Sequence, residues 1–369
     1  MIGSVRFPLR RWEVLVPALA LVALVLSWGR DLPGLVVAVI ALLLAGSVLA
    51  AVHHAEVVAH RVGEPFGSLV LAVAVTVIEV ALIVSLMVSG GGESSTLARD
   101  TVFAAVMITC NGIVGLSLLV AALRHRVAVF NAEGAGGALA TVATLATLCL
   151  VLPRFTTSAG GPVFSPAQLA FAAVASLVLY GLYVLTQTVR HRDYFLPVDK
   201  AGGVLDVAEA EEHAAAPSDR ETLASLALLL LALVTVVGLA KVESPVIERG
   251  VDAAGFPHAV VGVVIALLVL LPETLAAVRA ARRDRVQTSL NLALGSAMAS
   301  IGLTIPTIAV ASIWLSGPLE LGLGALHMVL LALTIGVSTL TVVPGRATLL
   351  QAGVHLAIFA SFLFLAVSP

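Results

Sequence analysis

Residues 257–306 read PHAVVGVVIALLVLLPETLAAVRAARRDRVQTSLNLALGSAMASIGLTIP. The first apolar run carries Pro272 and Glu273 at its middle. A short basic link follows, with Arg279, Arg282, Arg283 and Arg285, and a second apolar run opens with Asn291 and the small pair Gly295–Ser296. An ionisable side chain at the centre of a bilayer costs roughly 2.5–3.5 kcal/mol on insertion scales, so it is retained for an ion, a proton or a partner. Pro272 has no N–H and frees the carbonyl one turn earlier. A freed carbonyl inside a membrane needs a partner, and a cation can be one. A structural salt bridge is the competing reading of Glu273, but no arginine or lysine lies deep in any other expected span.

Composition places the whole chain in the same solvent. It has 369 residues, 60% hydrophobic and 11% charged, with a mean hydropathy of +1.09. Soluble domains are nearer one quarter charged. The apolar residues come in runs of about 20, the length that crosses a ~30 Å hydrocarbon core. The expected fold class is an all-α, multi-pass membrane protein with the lipid bilayer as its partner. Ten-residue alternating patterns, the mark of a β-barrel, are missing. Cys110 and Cys149 both lie in apolar runs and suggest neither a disulfide framework nor a Cys-based metal site. Aromatic residues are 5% and scattered, so no nucleic-acid-binding surface is expected.

Taken in order, the chain divides into about eleven spans. Span one is 12–28, behind a short basic start, and no small-residue cleavage site follows it. Span two is 34–52, followed by a polar link with His53, His54, Glu56, His60, Arg61 and Glu64. Spans three to six are 65–88, 101–123, 136–152 and 166–189. Residues 190–220 are polar and acidic and read as a solvated linker. Spans seven to eleven are 221–242, 256–279, 286–315, 319–343 and 347–367. Span nine is overlong, and Gly302 with Pro306 mark a bend or break in it. With the N-terminus in the cytoplasm and strict alternation, 15 of the 20 Lys and Arg fall in inner segments, as the positive-inside rule requires. That puts the acidic linker inside and, for a bacterial chain, the protein in the inner membrane.

Removing span one leaves two sets of five. The domain expectation is therefore an N-terminal helix (1–33), a first repeat (34–189), the acidic linker (190–220) and a second repeat (221–369). The second helix of each set carries the deep acid, Glu79 in VAVTVIEVALI and Glu273 in LLVLLPETLAAV. The third helix of each carries small polar residues, Thr109, Asn111, Gly112, Gly115 and Ser117 in one, Asn291, Gly295, Ser296, Ser300 and Thr304 in the other. Whether Asn111 corresponds to Asn291, Ser296 or Ser300 is left open by the unequal links. Five is odd, so the sets insert upside-down relative to each other, the plan of many secondary transporters.

The segments EPFGSLVLAVAVTVIEVALI and LLPETLAAVRAARRDRVQTSLNLALGSAMASIGLTIP, with ELGLGALHMV and AGVHLAIF further on, resemble the ChaA-type calcium/proton antiporters of the calcium/cation antiporter superfamily. The resemblance implies eleven spans, two inverted halves joined by an acidic loop, and a cation site built on one glutamate from each half. Those map to Glu79 and Glu273, with Asn111, Gly295, Ser296 and Ser300 lining the site. One departure is that span four lacks the fuller Gly-Ser-Asn signature of many members. The expected transported ions are calcium, or alternatively sodium or potassium, and protons, with no cofactor. Two carboxylates balance one calcium ion or two protons, so either loaded state can be buried while the empty dianion cannot. Calcium takes six to eight oxygens; two glutamates supply at most four, and carbonyls near Pro272, Asn and Ser side chains and water supply the rest.

Other polar residues carry blander readings. His53, His54 and His60 lack the i, i+4 spacing of a zinc pair and read as an interfacial turn, with pH sensing as the alternative. Glu320 reads as interfacial. His327 and His355 read as hydrogen-bonded core residues, with a proton relay as the alternative. An intramembrane enzyme would need clustered ligands or a nucleophile–base pair, and a channel would pass ions without proton counterflow. Oligomeric state is not legible in the sequence.

Overall fold

The computed structural model describes residues 11–30, 32–62, 74, 76–84, 87, 95–198, 217–257, 259–314 and 318–369. Most of the acidic linker and the first part of span three lie outside the described residues. In chain order the helices are α1 (Arg11–Ser27), α2 (Gly34–Val62), α3 (76–84), α4 (Leu97–Met107), α5 (Val114–His125), α6 (Ala132–Ala146) and α7 (Pro166–Leu185). They continue as α8 (Asp219–Ala253), α9 (Ala259–Val269), α10 (Leu271–Arg282), α11 (Val286–Gly302), α12 (Thr304–Ala311), α13 (Ala325–Val342) and α14 (Leu349–Val367). Two three-residue strands, β1 (Val127–Val129) and β2 (Arg346–Thr348), pair antiparallel with Ala128 opposite Ala347. Among the described residues eight helical segments are long and apolar enough to cross a membrane; α9 and α10, bent by 50°, make a ninth if counted as one span. Helix α1 is shorter but apolar.

The chain forms two compact units, and they do not follow the two halves of the sequence. The first comprises Met1–Gly90 and Asp206–Ala254, hence α1, α2, α3 and α8. Within it α2 lies along α8, and α1 packs on both. Helix α8 opens with a capping box, in which Ser218 and Glu221 satisfy each other's backbone N–H, and Asp219 beside it pairs with Arg61 at the end of α2.

Two expectations are corrected in this unit. The polar link after span two is not a turn: α2 runs unbroken to Val62, and His54 is wholly buried. Two of its histidines meet α1. His53 Nε2 lies 3.1 Å from the buried Glu13 carboxylate, and His54 Nε2 lies 3.2 Å from the Glu13 carbonyl. Span seven likewise does not stop near Val242; α8 continues through Pro245 to Ala253.

The second unit comprises Gly91–Leu205 and Gly255–Pro369. Its axis is the span Leu97–His125, 78% of whose most apolar stretch is buried, the largest share among the spans of the described residues. Helix α9 packs on α4, α14 on α5, and the α10–α11 hairpin against α5, α6 and α7. The expected break in span nine is present: the helix ends at Gly302, Leu303 interrupts it, and α12 resumes at Thr304. Span ten starts later than expected, because residues 319–324 are extended and Glu320 bridges Val163. Capping boxes open α7 (Ser165 with Gln168) and α14 (Thr348 with Gln351).

Candidate functional site

Glu273 sits where its helix is broken. Leu270, at φ −85° and ψ 1°, separates α9 from α10, a backbone geometry outside the helical well. Pro272 stands in the first turn of α10, where its missing N–H costs nothing to that helix. The cost falls on α9, because the carbonyl of Leu268 has no N–H four residues on. Glu273 follows in the same first turn, where the N–H ends of the helix favour a carboxylate. The residue is half-buried.

The facing helix supplies small residues at the same height. Glu273 is nine residues before the end of α10 and Gly295 nine residues after the start of α11. At 1.5 Å per residue both lie about 13 Å from the link. A Cβ placed on Gly295 would meet nothing within 4 Å, so the hairpin leaves open space beside it. Ser296 is half-buried next to it, and Ser300 is buried one turn further on.

Asn111 lies in a π-helical turn, Ile108–Ile113, inserted between α4 and α5. π-turns inside α-helices are frequent at functional sites. Thr109 helps to form it by donating its hydroxyl to the carbonyls of Ala105 (2.7 Å) and Val106 (3.1 Å), a competition that loosens the helical ladder. This turn packs against α10, α11, α13 and α14. Asn111 is wholly buried. Its amide Nδ2 donates to Thr334 Oγ1 on α13 at 2.9 Å, and its Oδ1 accepts from His355 Nδ1 on α14 at 3.3 Å. His355 reaches that far because α14 crosses α5 at Gly115, where a Cβ would stand 3.0 Å from Leu356 and 3.2 Å from the His355 Cβ.

The second unit therefore gathers Pro272, Glu273, Gly295, Ser296, Ser300, Asn111 and His355 onto adjoining elements. It does not gather Asn291 with them. That side chain is four residues nearer the link than Gly295. It accepts from Gln287 Nε2 (2.9 Å) and donates to the Phe195 carbonyl (2.7 Å), while Gln287 in turn accepts from the Asn131 N–H (2.7 Å). His327 lies in the first turn of α13, its ring 4.7 Å from that of Phe103. Glu320 lies before α13 in the extended segment, its N–H donating to the Ser95 carbonyl at 3.1 Å.

In the first unit Glu79 lies on α3 and is 3% exposed, between the buried Ile78 and Val80. Two further buried acids in that unit, Glu13 on α1 and Glu243 on α8, were missed by sequence reading. Glu243 is also 3% exposed. It stood one residue beyond the expected end of span seven and so was left outside every span. Thr334 and Thr341 were missed too, since one threonine in an apolar helix carries no signal until its neighbour is known. Among the described residues no group of three or more His, Cys, Asp and Glu is placed to hold a metal ion. A cation here would draw on single carboxylates with neutral oxygens.

The sequence profile of the sodium/calcium exchanger proteins matches residues 32–189 and 224–368. The ionic transporter y4hA of Sinorhizobium fredii, named as such without a stated ion, is 46% identical over all of this chain and 98% of its own length. The sodium-potassium/proton antiporter ChaA of Escherichia coli is 34% identical over 95% of this chain and 94% of its own. Among solved structures, native YfkE superposes with a TM-score of 0.71 at 16% identity, over 97% of this chain and 99% of that one. The H+/Ca2+ exchanger CAX gives 0.69 at 17% identity, over 95% and 86%. At such identities the two structures speak to the fold. On the profile match and the identity to its relatives, this chain belongs to the sodium/calcium exchanger protein family.

Proposed function

We propose that the protein is a secondary active cation/proton antiporter of the inner membrane, moving calcium out of the cytoplasm against protons, which compete with it for the carboxylates of Glu79 and Glu273. The observation that carries the proposal is the helix break at Leu270–Pro272, which sets an acid at a helix start next to a carbonyl released from its ladder. Oxygen ligands of that kind suit a hard cation. Asn111, Ser296 and Ser300 add neutral oxygens on adjoining elements, and Gly295 leaves room. Charge balance favours a divalent ion: one calcium or two protons neutralise two carboxylates, and each loaded state can cross a low-dielectric interior.

The path of the chain is eleven spans, an N-terminal helix followed by two inverted sets of five, with the N-terminus inside. Contacts between connecting segments support it. Within the second unit β1 pairs with β2, His125 with Asp284, and Val163 with Glu320. Within the first unit Arg61 pairs with Asp219. An alternating path puts the two members of each pair on one side of the membrane.

A second reading makes sodium or potassium the exchanged ion, and the name of the Escherichia coli relative, a sodium-potassium/proton antiporter, favours it. Everted vesicles holding an acid interior decide between them. Added calcium should release the proton gradient in the wild type and fail to do so in Glu79→Gln and Glu273→Gln. Release by sodium or potassium but not calcium would establish the second reading, and undiminished exchange in both variants would refute the role of the glutamates.

A further inference from the structure

We infer that His355 is a positioning residue for the cation site, acting through a directed chain of hydrogen bonds that runs Thr341–His355–Asn111–Thr334. The inference rests on the proposed function, in which Asn111 is one of the neutral ligands. Asn111 Oδ1 can only accept, so His355 Nδ1 carries the proton between them. In the neutral ring Nε2 is then an acceptor, and the Thr341 hydroxyl, 3.1 Å away, donates to it. At the other end Asn111 Nδ2 donates to Thr334 Oγ1 at 2.9 Å, and that hydroxyl lies 3.5 Å from Met107 Sδ. Every link then has one donor and one acceptor, and reversing any one of them would set donor against donor or acceptor against acceptor. Asn111, His355, Thr334 and Thr341 are each 3% exposed or less, so water does not compete and the links polarise one another.

The chain makes the orientation of the Asn111 amide and the tautomer of His355 turn together, and it ties both ends of that amide to α13 and α14. The local contact of the amide is weak, Nδ2 lying 3.9 Å from Met107 Sδ one turn earlier. With Nδ2 committed to α13 and one lone pair of Oδ1 to His355, the second lone pair of Oδ1 is left to a cation. Helices α13 and α14 carry no deep acid, yet they belong to the site through these bonds. A relay role would require the ring to take up a second proton. Nε2 would then donate to a Thr341 hydroxyl turned to accept, and the pH profile separates that role from positioning.

Calcium-driven proton release in everted vesicles, measured across calcium concentration and pH, tests this. His355→Gln keeps a donor and an acceptor on a side chain of similar reach. It should leave the half-saturating calcium within about threefold of wild type and the pH profile unmoved. His355→Leu should raise half-saturation by about tenfold or more, as for other groups that orient a ligand. Thr334→Val keeps the imidazole and the shape of its own residue, and covers the case in which the leucine variant does not fold. It should raise half-saturation in the same direction. The inference is overturned if His355→Gln is as impaired as His355→Leu or moves the pH profile, since the ring would then be carrying protons. It is equally overturned if Thr334→Val leaves half-saturation at the wild-type value. Glu273→Gln in the same vesicles separates the two levels: exchange retained there removes the proposed function, whereas exchange lost there with wild-type behaviour in Thr334→Val removes only the positioning role.

Discussion

Gly295 and Gly262 lie 33 residues apart in the stretch that decides the fold, and replacing each by alanine should have opposite effects on stability. Both are helical, and alanine in a helix interior is worth about 0.5–1 kcal/mol over glycine. At Gly295 nothing opposes that gain, because a Cβ would meet no atom within 4 Å. Gly295→Ala should therefore stabilise the protein by about 0.5–1 kcal/mol. At Gly262 a Cβ would stand 3.1 Å from the Thr101 nitrogen and 3.2 Å from the Asp100 carbonyl carbon. Those are backbone atoms of the packed helix α4, which cannot rotate away. Overpacking of this kind costs about 1–3 kcal/mol, more than the helical gain, so Gly262→Ala should be net destabilising. Thermal unfolding of the purified protein in detergent reads both signs. The functional half of the prediction uses Gly295→Leu. Its side chain fills the space level with Glu273, and exchange should be lost while the unfolding temperature stays at or above wild type. If Gly295→Leu exchanges normally, the open space faces lipid and is no part of an ion's path. If Gly295→Ala destabilises by more than about 1 kcal/mol, α11 is not open there at all.

Other expectations follow from particular bonds. Asn291→Ala should lower stability by about 1–3 kcal/mol, because it strips the Phe195 carbonyl and Gln287 of their partner. It should leave half-saturating calcium unchanged, and a large rise in half-saturation would return Asn291 to the ligand set. Ser218→Ala should cost about 1 kcal/mol through the lost cap of α8. Asp219→Asn, one residue on, should cost less than half of that, since its partner Arg61 and Asp219 itself are both exposed and such pairs are worth little. Equal losses in the two variants, read by the same thermal unfolding, would refute this ranking.

Much of the architecture was legible because the bilayer leaves a chain few options. Apolar runs of about 20 residues have to be helices, so the described helices cover the expected apolar runs, although α2 and α8 run about ten residues past their expected ends. The deep acids Glu79 and Glu273 stood out for the same reason, as did the break near Gly302. The errors lie where polar residues were assumed to end a helix. His53–Arg61 looked like a link, yet α2 continues through it, because Glu13 of α1 supplies partners for His53 and His54. Span seven was expected to end at 242, yet α8 runs on and buries Glu243. For His53 and His54 the partner is about forty residues away in sequence.

The amino-acid sequence by itself determined that this is a helical membrane protein, that two of its apolar runs carry Glu79 and Glu273, and the exchanger family to which it belongs. Hydrophobic length and the cost of a buried charge are local properties, readable one residue at a time. Only the tertiary structure decided that Asn111 lies in a π-turn held by α13 and α14, that Asn291 is spent on an anchor, and that Gly295 faces open space where Gly262 faces backbone. Each of those depends on which atoms of distant segments come within a few ångströms. The direction of a hydrogen bond and the room for a methyl group are properties of pairs, and a linear sequence does not state its pairs.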